Sequence, residues 1–78
     1  MNFPIGYTFQ QVNAEGKVRI THLESGLHFD CRKVNDGFIR INMYDKETAL
    51  DSHLVQTTFT PRNLTRRIEK LYLEIYNQ

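Results

Sequence analysis

What the sequence has little of limits the kinds of protein it can be. It has a single cysteine, Cys31, so no disulfide can form within the chain. No apolar run approaches the roughly 18 residues that a membrane-spanning helix needs, and the opening residues MNFPIGYTFQ lack the charged and apolar regions of a secretion signal. We therefore expect a soluble protein with no membrane partner, in the reducing environment of the cytoplasm.

Positive and negative charges are nearly balanced, and the chain is short. Ten Lys and Arg residues against nine Asp and Glu residues give a net charge of +1, which excludes a strongly basic protein of the histone kind. A chain of 78 residues has a small core, because a domain of this size buries only about 60% of its unfolded surface. Since repeats, linkers and low-complexity stretches are also missing, we expect one domain over residues 1–78. The sequence has no catalytic or cofactor motif, and we predict neither an enzyme nor a cofactor.

Four short runs rich in β-branched and aromatic residues predict an antiparallel sheet. They are IGYTFQQV (5–12), KVRITHL (17–23), LHFDCRK (27–33) and FIRINMY (38–44). The segments between them, NAEG, ESG and NDG, are too short for a parallel crossover, so each run must pair antiparallel with the next. A fifth run, LVQTTFT (54–60), predicts an edge strand. The polar residues 45–53 before it are expected to hold a helical turn beginning at Asp45.

The segment TPRNLTRRIEKLYLEIY (60–76) predicts a C-terminal helix. Thr60 suits the N-cap and Pro61 the first helical position, where its missing N–H costs nothing. At helical spacing one apolar stripe forms. Its members are Leu64, Ile68, Leu71, Tyr72, Ile75 and Tyr76. We therefore expect an α+β fold in which an antiparallel β-meander of four to five strands has one C-terminal α-helix packed on one face.

The loop lengths set which residues lie opposite each other, and matching apolar residues across strands selects one register for each hairpin. A four-residue NAEG loop pairs Phe9 with Ile20. A two-residue loop of Ser25 and Gly26 pairs Ile20 with Cys31, and a three-residue NDG loop pairs Ile41 with Cys31. These registers predict an apolar face under the helix. Its residues are Tyr7, Phe9, Val18, Ile20, Leu27, Phe29, Cys31, Ile39, Ile41 and Met43.

The same registers place three arginines side by side on the other face. This arginine row consists of Gln10, Arg19, Arg32 and Arg40. Like charges directly opposite each other destabilise a sheet, whereas guanidinium groups bind carboxylates and phosphates in bidentate geometry. We therefore predict that the row is a binding site with Phe38 and Tyr44 beside it. The simpler interpretation is a solvated face on which Asp30 pairs with one neighbouring arginine, and a slip of one residue in either hairpin removes the row.

The basic side of the helix is a second candidate surface. It carries Arg62, Arg66 and Lys70, with Arg67 to one side. Cations in the first turn oppose the helix dipole by about 0.3–1 kcal/mol each, which favours a negatively charged partner. The alternative is an ordinary solvated helix face on which Glu69 pairs with Arg66.

These surfaces lead to two hypotheses of function. The first is a small non-enzymatic interaction or regulatory module that binds the acidic surface of a protein partner through the arginine row. The alternative is a nucleic-acid-binding module that uses the same face or the basic side of the helix, although the near-neutral net charge argues against it. A homodimer through the open face or an edge strand is also possible.

A hydrolase with His22 as the base for Cys31 is a third hypothesis, which we weigh least. We expect Cys31 to lie under the helix, where a buried thiol is inert. The spacing of His22, His28 and Cys31 is not that of a zinc site, so we predict no metal site.

Overall fold

A computed structural model describes residues 4–12 and 16–73, apart from the side chain of residue 73. It shows a five-stranded antiparallel sheet in which each strand pairs with the next along the chain. The strands are β1 (Tyr7–Gln11), β2 (Val18–His22), β3 (Leu27–Asn35), β4 (Phe38–Asp45) and β5 (Thr48–Gln56). A helix, α1 (Pro61–Ile68), follows and continues as a wider π-helical turn over Glu69–Leu73. The predicted α+β meander with one C-terminal helix is confirmed.

Two of the three predicted hairpin registers are confirmed. Phe9 lies opposite Ile20 between β1 and β2, and Cys31 lies opposite Ile41 between β3 and β4. In the turn between β3 and β4, Gly37 has a φ of 83°, a left-handed conformation that glycine adopts without steric cost. The turn itself has two residues, Asp36 and Gly37, with Asn35 opposite Phe38, rather than the predicted three. A bulge at Val34 supplies the extra residue, so the predicted pairing holds from Lys33 and Ile39 onwards.

The predicted register between β2 and β3 is wrong by two residues. Ile20 lies opposite Phe29 rather than Cys31. The turn is wider than predicted because the His22 side chain stabilises it: its Nδ1 contacts Ser25 Oγ at 2.7 Å and accepts the Ser25 N–H at 3.2 Å. Gly26 N–H donates to the carbonyl of His22 at 2.8 Å. A shift of two residues leaves every side chain on its predicted face but changes its neighbours across the strands.

The prediction for residues 45–53 is also wrong, because this segment is strand rather than helical turn. Lys46, with a φ of 58°, and Glu47 form a tight turn, and β5 runs back along β4 from Thr48. The strand was predicted to begin at residue 54. Since β5 is an edge strand in which only Val55 is buried, most of its length has no apolar alternation to reveal it.

The helix packs its apolar stripe on one face of the sheet, as predicted. Thr60 has extended backbone and its Oγ1 accepts the N–H of Asn63 at 3.3 Å, which makes it the N-cap. Tyr72 reaches the middle of the sheet, where its hydroxyl donates to the Ile41 carbonyl at 3.4 Å and its ring lies 5.2 Å from that of Phe29. The predicted members Ile75 and Tyr76 lie outside the described residues. The buried core consists of Tyr7, Ile20, Phe29, Cys31, Ile39, Ile41, Met43, Val55, Leu64, Ile68 and Tyr72.

Candidate binding surface

The candidate site lies on the open face, the face of the sheet opposite the helix. Directly opposed residues of antiparallel strands share a face, so the pairings give the rows across it. The first row is Gln10, Arg19, Asp30, Asn42 and Ser52. The second row is Arg32, Arg40 and Leu54. The arginine row is therefore divided: Arg19 stands in one row, and Arg32 and Arg40 stand in the next.

Arg19 is held by Asp30, its direct neighbour across the strands. The guanidinium donates from Nε to Oδ1 at 2.7 Å and from Nη2 to Oδ2 at 3.1 Å, and Lys17 Nζ lies 3.2 Å from the same Oδ2. Asp30 is only 2% exposed although it lies on the open face. Burial by itself raises the pKa of this carboxyl, but the hydrogen bonds from Arg19 and Lys17 outweigh burial, so the pKa lies below its ordinary value. Arg19 therefore has a structural partner and is not offered to a ligand.

Arg32 and Arg40 are in the opposite situation. They lie directly opposite each other on β3 and β4, and both are exposed. Arg40 Nη1 donates to Ser52 Oγ at 3.3 Å, and that hydroxyl donates in turn to Asn42 Oδ1. Among the residues that the structure describes, no carboxylate pairs with either guanidinium. Two positive charges are thus held side by side without compensation.

Exposed apolar side chains border this pair of arginines. Leu54 lies opposite Arg40 and is 50% exposed. Phe38 precedes Arg40 by two residues on β4, which places it on the same face, and it is 37% exposed. We call Arg32, Arg40, Phe38 and Leu54 the exposed patch. Arginine and aromatic side chains around an apolar centre are typical of protein-binding surfaces.

Tyr44, which was predicted to belong to the site, lies apart from the exposed patch. It is half-buried opposite His28, and Asn42 stands between it and Arg40 along β4. His28 in turn contacts Thr21 Oγ1 through Nδ1 at 2.8 Å. The structure therefore brings Phe38 to the arginines but leaves Tyr44 on the Arg19 side of the face.

The basic side of the helix points away from the open face. Arg62, Arg66 and Lys70 are exposed, and the first turn of α1 contains no acidic residue. Arg67 is half-buried, and its Nε is buried without a hydrogen-bond partner among the described residues.

The expected pairing of Glu69 with Arg66 is not what the structure shows, since Glu69 Oε1 accepts the Tyr7 hydroxyl at 2.9 Å. Burial, with Glu69 adding to it, raises the pKa of Tyr7.

The two groups considered for a hydrolase are not brought together. Cys31 is fully buried opposite Val18 and Ile41, and burial raises the pKa of its thiol to about 12, with a smaller contribution from Asp30. His22 lies at the end of β2 and contacts Ser25.

Within the described part of the chain, no cluster of His, Cys, Asp and Glu is suited to hold a metal ion. No described helix has the length and apolar character to cross a membrane.

Leu54 and Ser52 are site residues that the sequence analysis missed. Both belong to β5, whose extent and partner strand were not predicted. A weak signal was present, because Leu54 and Val55 are adjacent in a strand, so only one of these two apolar side chains can face the core. Without the register of β5 against β4, however, nothing linked Leu54 to Arg40.

Comparisons with known proteins give no relative from which a role can be transferred. No protein-family model, curated protein or solved structure matches the chain. The function has to be inferred from the surface itself.

Proposed function

We propose that this chain is a small non-enzymatic interaction module that binds an acidic segment of a partner protein through the exposed patch. One observation carries the proposal. Arg32 and Arg40 stand directly opposite each other without an acidic partner among the described residues, while the neighbouring Arg19 is fully engaged by Asp30. A fold that places an acid beside one arginine and leaves the adjacent pair uncompensated keeps a net positive potential at that place.

The chemistry of the exposed patch favours a protein over a small anion. Guanidinium groups take carboxylates in bidentate geometry, and the Ser52 hydroxyl orients one edge of Arg40. Leu54 and Phe38 add apolar surface that a partner side chain can cover. A segment with acidic and aromatic side chains would satisfy both features, and rim charges of this kind chiefly speed up association and set specificity.

The test compares two double variants with the same change in charge. A fluorescent peptide of glutamate and tyrosine residues is titrated by anisotropy with the wild type, with Arg32→Glu/Arg40→Glu and with Arg62→Glu/Arg66→Glu. We expect the open-face variant to lose at least about tenfold in affinity, because two favourable charge contacts become repulsive. The helix variant should bind nearly as the wild type does.

Equal losses in the two variants would show that the peptide responds only to total charge, and the proposal would fail. Binding by neither the wild type nor the variants at about 50 mM salt, where charge contacts are least screened, would also count against it. Thermal unfolding followed by circular dichroism shows that each variant is folded.

A second candidate function is nucleic-acid binding through the basic side of the helix. It is favoured by the exposed Arg62, Arg66 and Lys70 and by the missing acid in the first turn of α1, where phosphate is stabilised by the helix dipole. Titration of a fluorescent single-stranded RNA with the same variants separates the two functions. Binding that weakens steeply between about 50 and 200 mM salt, and that only Arg62→Glu/Arg66→Glu removes, would replace the first proposal by the second.

A further inference from the structure

Among the residues that the structure describes, β5 is the longer of the two edge strands, and one of its edges pairs with no other strand. β5 spans nine residues, whereas β1 at the other edge spans five. Natural edge strands are often protected by lysine or other charges, by proline or by a β-bulge. The sequence of β5, TALDSHLVQ, contains no lysine or proline. Its one acidic residue is Asp51, and its bulge lies at Leu50, towards the start of the strand.

At the centre of β5, the backbone N–H and C=O groups of every second residue point away from β4. Thr57 N–H donates to the Gly37 carbonyl at 2.9 Å, and bonded and non-bonded pairs alternate along an antiparallel ladder. Val55 and His53 therefore bond to β4, while Leu54 and Ser52 present their N–H and C=O groups to the free edge. An independent contact agrees, because Ser52 N–H donates to the side chain of its neighbour Asp51 at 2.8 Å rather than to β4.

The sequence of β5 is complementary to itself when read in the opposite direction. If Ser52 of one copy lies opposite Ser52 of another, Asp51 of each lies opposite His53 of the other. The same register places Leu50 opposite Leu54, and these side chains are 44% and 50% exposed in the single chain. A carboxylate is thus matched with an imidazole that can donate a hydrogen bond to it, and apolar side chains are matched with each other.

We propose that two copies of this chain dimerise by antiparallel pairing of β5 with β5, with Ser52 on the twofold axis. The Ser52 N–H of each copy then donates to the Ser52 carbonyl of the other. The Asp51 carboxylate, which binds Ser52 N–H at 2.8 Å and the His53 ring at 3.0 Å in the single chain, is released from the backbone and pairs with His53 of the second copy. The two sheets join into one of ten strands.

Of the registers centred on residues 51 to 54, only the one centred on Ser52 sets Asp51 opposite His53. A shift that puts His53 on the axis sets each His53 against itself, and a shift that puts Asp51 there sets two carboxylates together, which is unfavourable. Placing Leu54 on the axis leaves Asp51 opposite Thr57 and His53 opposite Val55. The bulge at Leu50, between the residues paired with Met43 and Tyr44, ends the regular ladder at that point, so the two Leu50–Leu54 pairs lie at the ends of the ladder.

The dimer would place two copies of the exposed patch side by side. A role for these paired patches rests on the proposed function. A twofold axis perpendicular to the sheet keeps both open faces on one side, so both exposed patches face the same way. With strands about 4.8 Å apart and residues about 3.4 Å apart, the two copies of Arg40 are roughly 20 Å from each other. A partner with two acidic segments could then bind both patches, with a gain in avidity.

Sedimentation velocity of the chain alone tests the pairing without any partner, so its result is independent of the proposed function. The wild type is measured over about 10 to 500 µM, the range expected for a weak dimer. Asp51→Lys removes the carboxylate that His53 of the other copy would bind, and His53→Asp places two aspartates opposite each other. Each pair occurs twice in a twofold dimer, so we expect each variant to weaken dimerisation about tenfold or more.

Mixing the two variants tests the register directly. Asp51→Lys against His53→Asp restores a carboxylate opposite a basic side chain at every position, so the mixture should form a heterodimer more tightly than either variant dimerises alone. Glu47→Lys is the matched control, because it makes the same charge change in the β4–β5 turn, outside the pairing. Its dimerisation should equal that of the wild type.

A second variant covers the case in which replacement of His53 disturbs the fold, since its ring packs 5.5 Å from that of Tyr72. Leu50→Lys puts a lysine opposite Leu54 of the second copy and should also produce monomers, with unchanged circular dichroism. A monomeric wild type at the highest concentration would overturn the proposal. So would a mixture that stays monomeric while both variants are folded, or an equal loss in the Glu47→Lys control.

Discussion

The two halves of the open face differ in whether their arginines have an acidic partner. Arg19 donates two hydrogen bonds to Asp30, a carboxylate that is 2% exposed. Arg32 and Arg40 lie opposite each other, and Arg40 has Leu54 opposite it on the other side and Ser52 as a polar contact. Among the described residues, neither arginine has an acidic partner. The difference separates an arginine that stabilises the fold from arginines that are left for a partner, although all three lie on one sheet face.

A two-residue offset creates this difference. In the predicted register Arg19 stands opposite Arg32, whereas in the observed one it stands opposite Asp30. The observed register removes one like-charge contact and replaces it by an ion pair, and it also buries Ile20 against Phe29. Arg32 and Arg40 stay opposed because the register between β3 and β4 is fixed separately by the turn at Gly37.

The largest effect is expected on removing the buried acid. Asp30→Asn leaves Arg19 and Lys17 without their counter-charge, and we expect the free energy of unfolding to fall by about 2 kcal/mol. Urea denaturation measures the change. Asp36→Asn is the control, because Asp36 is exposed and lies 3.8 Å from Lys33, where such pairs contribute about 0.5 kcal/mol or less. Equal losses in the two variants would contradict a structural role for Asp30.

The contribution of Asp30 should depend on pH. Because its folded pKa lies below the ordinary value, the stabilisation is fully present above about pH 4, the unfolded pKa of an aspartate. It is lost as the pH falls towards the folded pKa. Unfolding free energies of the wild type and Asp30→Asn should therefore differ most at neutral pH and approach each other in acid. A difference that grows as the pH falls would contradict the lowered pKa.

A smaller effect distinguishes the arginines themselves. Arg19→Ala should lower the free energy of unfolding by about 1 kcal/mol, since it removes two charge-assisted hydrogen bonds to Asp30 while the contact of Lys17 with Asp30 remains. Arg32→Ala should change it by less than about 0.5 kcal/mol, or raise it slightly, because it relieves the contact with Arg40. The same urea denaturation measures both. A larger loss for Arg32→Ala than for Arg19→Ala would reverse the assignment of roles.

The sequence was sufficient for the parts of the fold in which apolar residues and turn residues agree. The helix start at Thr60 and Pro61 follows from capping chemistry, and the core face follows from alternation in β1 to β4. The edge strand β5 was missed over most of its length, because a strand with one buried residue has no alternation to read.

The site was less predictable than the fold for a physical reason. Registers that differ by two residues keep the same faces, so the core face can be right while the cross-strand neighbours are wrong. The observed register also aligns Val18 with Cys31 and Ile20 with Phe29, so the assumed loop length rather than apolar matching led to the error. The choice between β2 and β3 depended on polar contacts, those of His22 with Ser25 and of Arg19 with Asp30. Placing Asp30 opposite Arg19 is itself favoured by charge, so weighing cross-strand charge as well as apolar pairing would have supported the observed register.

The most direct test of the central claim is an NMR titration of the isotope-labelled chain with the peptide of glutamate and tyrosine residues. We predict that the largest shifts of backbone amide signals occur at Arg32, Arg40 and Leu54, with little change at Arg19. Shifts centred on Arg62, Arg66 and Lys70 would contradict the assignment and place the binding surface on the helix instead.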